Sequence, residues 1–201
     1  MKIHIVDYDS GNLESIRNAL KKVGCEPVTT NKASELINAN AVIFPGQGSF
    51  PSAIDKLSQF DITKTLINLI NDGVPFLGIC LGLQLMFESS EEGNIKGLNL
   101  LKGTVPKIAN SVKVPHIGWN SVKFGKSHKI FEGIPDDSYF YFLHSYYVKP
   151  LESENIIGST NYGNDFCSAY GLDNYVGVQF HPEKSGNLGL QIFDNFINKF
   201  I

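Results

Sequence analysis

Through the first part of the chain, short apolar runs alternate with amphipathic stretches, the texture of strands interleaved with helices. Ile3 to Asp7 reads as a buried strand. In the next stretch Leu13, Ile16, Leu20 and Val23 share one helical face, and Gly24 supplies the stop. Pro27 to Thr30 and Ala41 to Phe44 are further strand candidates. Ile62, Leu66, Leu69 and Ile70 form a second helical stripe, with Asp61 as its N-cap and Gly73 as the glycine just past its end. Val74 to Ile79 then runs as a buried strand straight into Cys80.

From about Leu100 the texture changes to strand-like runs, LKGTV, YFYFL, NIIGST and NYVGVQF, separated by Gly, Asn and Pro. At the end Leu188, Ile192, Phe196 and Phe200 recur at helical spacing and can pack on a sheet. The pattern predicts an α/β fold in a single domain over residues 1–201: an open, mainly parallel sheet with helices on both faces and additional antiparallel strands. Such sheets place their sites at the carboxyl ends of strands. That directs attention to the residues following Phe44, Ile79, Leu143 and Gln179.

Composition narrows the function. With 42% hydrophobic and 18% charged residues in 201, the chain is of ordinary globular character, not disordered. The 17 basic residues against 20 acidic ones include no basic run longer than Lys21-Lys22, so a nucleic-acid partner is not expected. No segment approaches the roughly 18 consecutive apolar residues of a membrane span, and the apolar stretch at the start is too short for a signal peptide. Cys25, Cys80 and Cys167 cannot all pair and lie too far apart for a close-spaced metal-binding pair. The expectation is a cytoplasmic protein without metal or cofactor.

Three motifs carry candidate chemistry. GICLG at Gly78 to Gly82 follows a strand and opens a helix, the setting of a nucleophile elbow with cysteine in place of serine. Its glycines permit a tight turn that lifts Cys80 out of the backbone, and a helix N-terminus behind it favours the thiolate. QFHPEKS at Gln179 to Ser185 sets His181 and Glu183 two residues apart at the end of another strand, a base and a carboxylate to orient it. FPGQGSF at Phe44 to Phe50 is a glycine-bracketed loop able to present backbone N–H groups to an oxyanion, although taken alone it reads better as a plain strand-to-helix turn.

In this order and spacing the three motifs resemble the triad-type glutamine amidotransferase domain. With DYDSGN, VPHIGWN and YFLHSYY, the whole chain is similar to the glutaminase subunits of imidazole glycerol phosphate synthases. The resemblance implies that Cys80 is the nucleophile, His181 the general base and acid, and Glu183 its orienting partner. Glutamine would be hydrolysed through a γ-glutamyl thioester, and the ammonia delivered through a channel to a (β/α)₈-barrel synthase subunit in a heterodimer. Oxyanion donors would be the N–H of Leu81 and an N–H of the loop at Gln47 and Gly48; Gln47 stands where some relatives carry valine. Gln84, Glu92, Ser145 and Tyr146 would hold the amino and carboxylate ends of glutamine. Asn12, His116, Trp119, Asn120 and Lys184 would face the partner. Three other readings stand beside this one: a paralogous glutaminase serving sugar amidination for surface polysaccharides, a catalytically silent regulatory subunit, and a stand-alone cysteine hydrolase.

Overall fold

The apolar runs become the strands of one large sheet in the computed structural model, which describes residues 2–9 and 12–201. Ser10 and Gly11 of the DYDSGN motif lie outside the described residues. The strands are β1 (Ile3–Val6), β2 (Val28–Thr30), β3 (Ala41–Phe44), β4 (Phe76–Ile79), β5 (Phe87–Ser90), β6 (Ile95–Lys96), β7 (Leu101–Val105), β8 (His116–Phe124), β9 (Ser138–His144), β10 (Lys149–Pro150), β11 (Ile156–Asn161), β12 (Asp165–Gly171) and β13 (Tyr175–Val178). Among the described residues nine of them form a sheet in the order β2-β1-β3-β4-β13-β12-β11-β8-β9. The run from β2 to β13 is parallel, and from β13 onward the pairings are antiparallel. A smaller sheet, β10-β7-β5-β6, lies beside it.

Helices α1 (Leu13–Lys22), α2 (Ala33–Leu36), α3 (Phe50–Gln59), α4 (Thr63–Asn71), α5 (Leu81–Gln84) and α6 (Gly186–Asn195) complete the fold. Alternate residues of a strand point to opposite faces, and the sheet is covered on both. On one side Ile3, Ile5, Leu77 and Val176 pack with Ile16 and Leu20 of α1 and Ile192 and Phe193 of α6. On the other, Val42, Phe44 and Phe76 pack with Phe50 and Leu57 of α3 and Leu66 and Leu69 of α4. Of the expected terminal stripe, Ile192 and Phe196 are fully buried while Leu188 and Phe200 are partly so.

Asp61 departs from the sequence expectation. It does not cap α4, whose N-cap position is Ile62. Instead it ends α3 in a left-handed conformation with φ 51°. Its N–H bonds Ser58 O at 3.1 Å and the N–H of Ile62 bonds Leu57 O at 3.4 Å, the paired closure that usually falls to glycine. Gly24 and Gly73 close α1 and α4 in the same way, with N–H bonds to Lys21 O and Ile70 O, both at 3.0 Å.

Candidate active site

Segments far apart in sequence meet at the carboxyl ends of β3, β4 and β13. β4 delivers Cys80 into a turn with φ 54° and ψ −109°, a region that non-glycine residues rarely adopt and that costs of order 1–3 kcal/mol. Its neighbours hold it there: Cys80 N donates to Val178 O at 2.7 Å, and Cys80 O accepts from Leu83 N at 3.0 Å and Gln84 N at 3.2 Å. The next turn must lie hard against β3, since a Cβ on Gly82 would stand 1.8 Å from Phe44 O. The helix behind the thiol, α5, is one turn long, so a full helix macrodipole does not stand behind the sulfur.

The PGQG loop is pressed onto this elbow from the β3 side. Buried Tyr8 donates its hydroxyl proton to Pro45 O at 2.7 Å, and a Cβ on Gly46 would meet that hydroxyl at 2.5 Å and Leu81 Cβ at 2.6 Å. Gln47 and Gly48 thereby line the same cavity as Cys80 and Leu81, a space of about 310 Å³. Gln84, Glu92, Ser145, Tyr146 and His181 line it too. The structure therefore brings together every residue named from the sequence for nucleophile, base, oxyanion loop and glutamine binding, with Glu183 directly behind His181.

His181 is fixed through its backbone. Its N–H donates to Tyr141 O at 2.8 Å, and Ser185 Oγ donates to His181 O at 2.7 Å while accepting from Tyr141 N at 3.0 Å. Its Nδ1 lies 2.9 Å from Glu183 Oε1, both side chains being almost wholly buried. Its Nε2 is buried with no hydrogen-bond partner among the described residues, which leaves that nitrogen free to exchange a proton. Burial by itself would lower the imidazole pKa, but the neighbouring Cys80 and then Glu183 outweigh it and push it up to about 10.

Several residues sit elsewhere than the sequence suggests. Asn12, expected at a partner surface, turns its amide inward and donates to Glu183 Oε1 at 3.2 Å. His116 is buried as well, its ring stacked on Phe142 and Tyr162 and its Nδ1 2.9 Å from His144 Nε2. Asn120 lies on the same inner side of β8, where Nδ2 reaches His116 Nε2 at 3.3 Å and Asn161 O at 3.0 Å. In a strand, residues two apart share a face, so the outer face of β8 instead carries Ile117 and Trp119, 57% and 54% exposed. Lys184 sits beside that face, its Nζ 5.8 Å from the ring centre of Tyr141, which also meets Trp119 edge-on. Gln84 has its amide nitrogen committed within the protein, to Tyr146 O at 2.8 Å and Gln179 Oε1 at 3.0 Å, so what it retains for a ligand is its oxygen. Glu92 already accepts from Phe50 N, at the start of α3, at 2.8 Å.

The sequence reading passed over Gln179, Ser185 and His144. Gln179 and Ser185 lie within the QFHPEKS motif and His144 directly before Ser145; position beside the named residues was the available signal. A buried thiol, an imidazole with a free nitrogen and a carboxylate behind it, opening on a cavity with backbone donors, can carry out acyl transfer by nucleophilic catalysis.

The comparisons agree with that chemistry. The model of the glutamine amidotransferase class-I family matches residues 4–200. Imidazole glycerol phosphate synthase subunit HisH of Methanocaldococcus jannaschii is 48% identical over 196 residues, 97% of this chain and 98% of its own. The protein of the same name from Methanosarcina barkeri is 45% identical over 201 residues, 98% of each chain. PurLQS from Thermotoga maritima shares the fold, with a TM-score of 0.78 at 18% identity over 98% of this chain and 97% of that structure. With such identity sustained over nearly its full length, the chain belongs to the class-I glutamine amidotransferases, and among them to the family of imidazole glycerol phosphate synthase subunit HisH.

Proposed function

We propose that residues 1–201 form one glutamine amidotransferase domain, the glutaminase subunit of an imidazole glycerol phosphate synthase, which supplies ammonia for histidine biosynthesis. The observation that carries this reading is the meeting of Cys80 and His181 at one cavity of about 310 Å³, with Glu183 directly behind the imidazole. In the proposed reaction the Cys80 thiolate attacks the side-chain amide carbon of glutamine, and the oxyanion is held by N–H groups of Leu81 and the Gln47–Gly48 loop. His181 gives its Nε2 proton to the departing nitrogen, releasing ammonia and leaving a γ-glutamyl thioester. It then takes a proton from water, which attacks the thioester carbonyl; glutamate leaves and the sulfur is freed. Ser145, Tyr146, Glu92 and the oxygen of Gln84 hold the two ends of glutamine. No metal or cofactor enters any step.

The ammonia passes through an internal channel to a (β/α)₈-barrel synthase subunit. The outer face of β8 and β9 suits the docking of that partner: Ile117, Trp119 and Tyr139 are each more than half exposed there, a patch with the aromatic anchors that interfaces use. Among the described residues no helix is long and apolar enough to cross a membrane, and the free thiols of Cys25, Cys80 and Cys167 suit the reducing cytoplasm. The test is a glutaminase assay of the chain alone, with the synthase subunit, and with that subunit holding its own ligand. Hydrolysis should rise through the series and vanish in Cys80→Ala, while synthesis from added ammonia persists. Equal rates in all three would instead mark a stand-alone hydrolase.

A further inference from the structure

The sulfur of Cys80 touches a side chain that the reaction above does not use. Gln179 follows β13 directly and is completely buried, with its Nε2 3.5 Å from Cys80 Sγ. Its orientation follows from its neighbours. The carbonyl oxygen of Tyr146 can only accept, so the Gln84 atom 2.8 Å away is the amide nitrogen. The second N–H of that nitrogen needs an acceptor, and Gln179 Oε1 lies 3.0 Å from it. Gln179 therefore turns its oxygen to Gln84 and its nitrogen to the sulfur. Its backbone is held too, since Gln179 N donates to Ser168 O at 2.9 Å.

The second polar contact of the sulfur has the opposite sense. Cys80 Sγ lies 3.8 Å from Leu143 O, an oxygen that welcomes a thiol proton and repels a thiolate. An N–H donor does the reverse: it accepts no proton and favours sulfur carrying negative charge. We propose that Gln179 is a positioning residue for the nucleophile. It holds the sulfur in its attacking orientation and stabilises the anion, with Gln84 as its anchor. Gln179 keeps both of its amide protons throughout; proton transfer stays with His181. This rests on the reading of Cys80 as the nucleophile.

Two substitutions in the full chain separate the parts of the proposal. Gln179→Glu keeps an oxygen for Gln84 to bond but sets another against the sulfur; Gln179→Met fills similar space with no donor. The direct probe is iodoacetamide, followed by mass spectrometry of the peptides so that the rate constant of Cys80 is read apart from Cys25 and Cys167. A hydrogen bond to a charged group corresponds to about tenfold to a hundredfold in rate. That fall is expected for Gln179→Glu, and a smaller one for Gln179→Met, with Cys80 still reacting to completion. In glutamine hydrolysis kcat should drop in step while KM stays within about twofold. Should either variant fail to fold, Gln84→Met, which unpins the amide but leaves it in place, should still slow alkylation.

An unchanged alkylation rate in folded Gln179→Met would overturn the proposal, and so would a rise in KM at constant kcat, which would make Gln179 a substrate ligand. Glutamine hydrolysis surviving in Cys80→Ala would overturn the underlying reading instead, whatever the Gln179 variants did.

Discussion

Two buried histidine pairs border the cavity that holds Cys80, and they are built alike. In one, His181 Nδ1 lies 2.9 Å from Glu183 Oε1, and the amide of Asn12 caps the carboxylate. In the other, His116 Nδ1 lies 2.9 Å from His144 Nε2, and the amide of Asn120 caps the outer ring. Their electrical states are opposite. His181 is pushed up to about 10 even though burial works against it, whereas burial pushes His144 down to about 3 and His116 to about 4. Hydrogen-bond length does not separate them; charge does, since only the first pair faces a carboxylate and a thiol. In the second every partner is neutral, and the proton positions follow. Tyr146 O, 2.8 Å from His144 Nδ1, must accept, so His144 Nε2 accepts from His116 Nδ1–H, and His116 Nε2 accepts from Asn120. In the proposed reaction the first pair moves a proton, whereas the second keeps its protons where they are.

The largest effect should come from breaking the charged pair. His181→Ala is expected to lower kcat for glutamine hydrolysis by about 10⁴-fold or more, because both proton transfers lose their carrier. Glu183→Gln should be about a hundredfold less severe, since the imidazole remains and only its orientation and charge support are lost. Steady-state assays on folded variants check the order. If Glu183→Gln proved the worse of the two, the carboxylate would be doing more than orienting.

The first of these pairs was legible in the sequence and the second was not, for a physical reason. Cys80, His181 and Glu183 sit in short motifs at strand ends, where a parallel sheet sets its sites, so order and spacing sufficed. Strands β1, β3 and β4 were equally plain, being apolar runs buried on both faces. β8 has the inverse pattern, with Ile117 and Trp119 outward and His116 inward, so hydrophobicity gave no reason to send His116 into the core. Asp61 misled because it stands before one helical stripe and also directly after α3, a helix to which the sequence pattern assigned no element. That Asn12 bonds Glu183, across 171 positions of sequence, depends on α1 and the turn after β13 lying side by side, which no local pattern encodes.

The next expected effect is on stability, where the two pairs should bend the pH profile in opposite directions. An unfolded histidine titrates near 6.5, so between that value and about 3 the unfolded chain holds a proton that folded His144 does not. This contribution is whole above pH 6.5 and is lost as pH falls through the window. That of His181, with a folded value of about 10, is whole below 6.5 and is lost as pH rises toward 10. His144→Asn removes the first titration while keeping an amide for Tyr146 O. Urea unfolding from neutral pH to about pH 4.5 should then show the wild-type chain losing of order 2 kcal/mol more than the variant. Parallel profiles would mean that His144 is not held neutral by the fold.

The smallest effects, and the finest test of the comparison, belong to the two asparagines. Asn12 Nδ2 donates to a carboxylate oxygen at 3.2 Å, and Asn120 Nδ2 shares itself between His116 Nε2 and a backbone carbonyl. Hydrogen bonds to charged groups are worth more than neutral ones, so Asn12→Ala should lower kcat by about fivefold, while Asn120→Ala changes it by less than about twofold and costs about 1 kcal/mol of stability or less. The reverse result would carry a definite meaning. From Asn120 the hydrogen bonds run without a break through His116 and His144 to Tyr146 O, and from there through Gln84 and Gln179 to Cys80 Sγ. If removing Asn120 slowed hydrolysis more than removing Asn12, that neutral chain would be setting the reactivity of the sulfur from the strand that also bears Trp119. The two pairs would then be joint determinants of one nucleophile rather than a working pair and a fixed one, and alkylation of Cys80 in the two asparagine variants would decide it, because iodoacetamide reads the sulfur without needing glutamine.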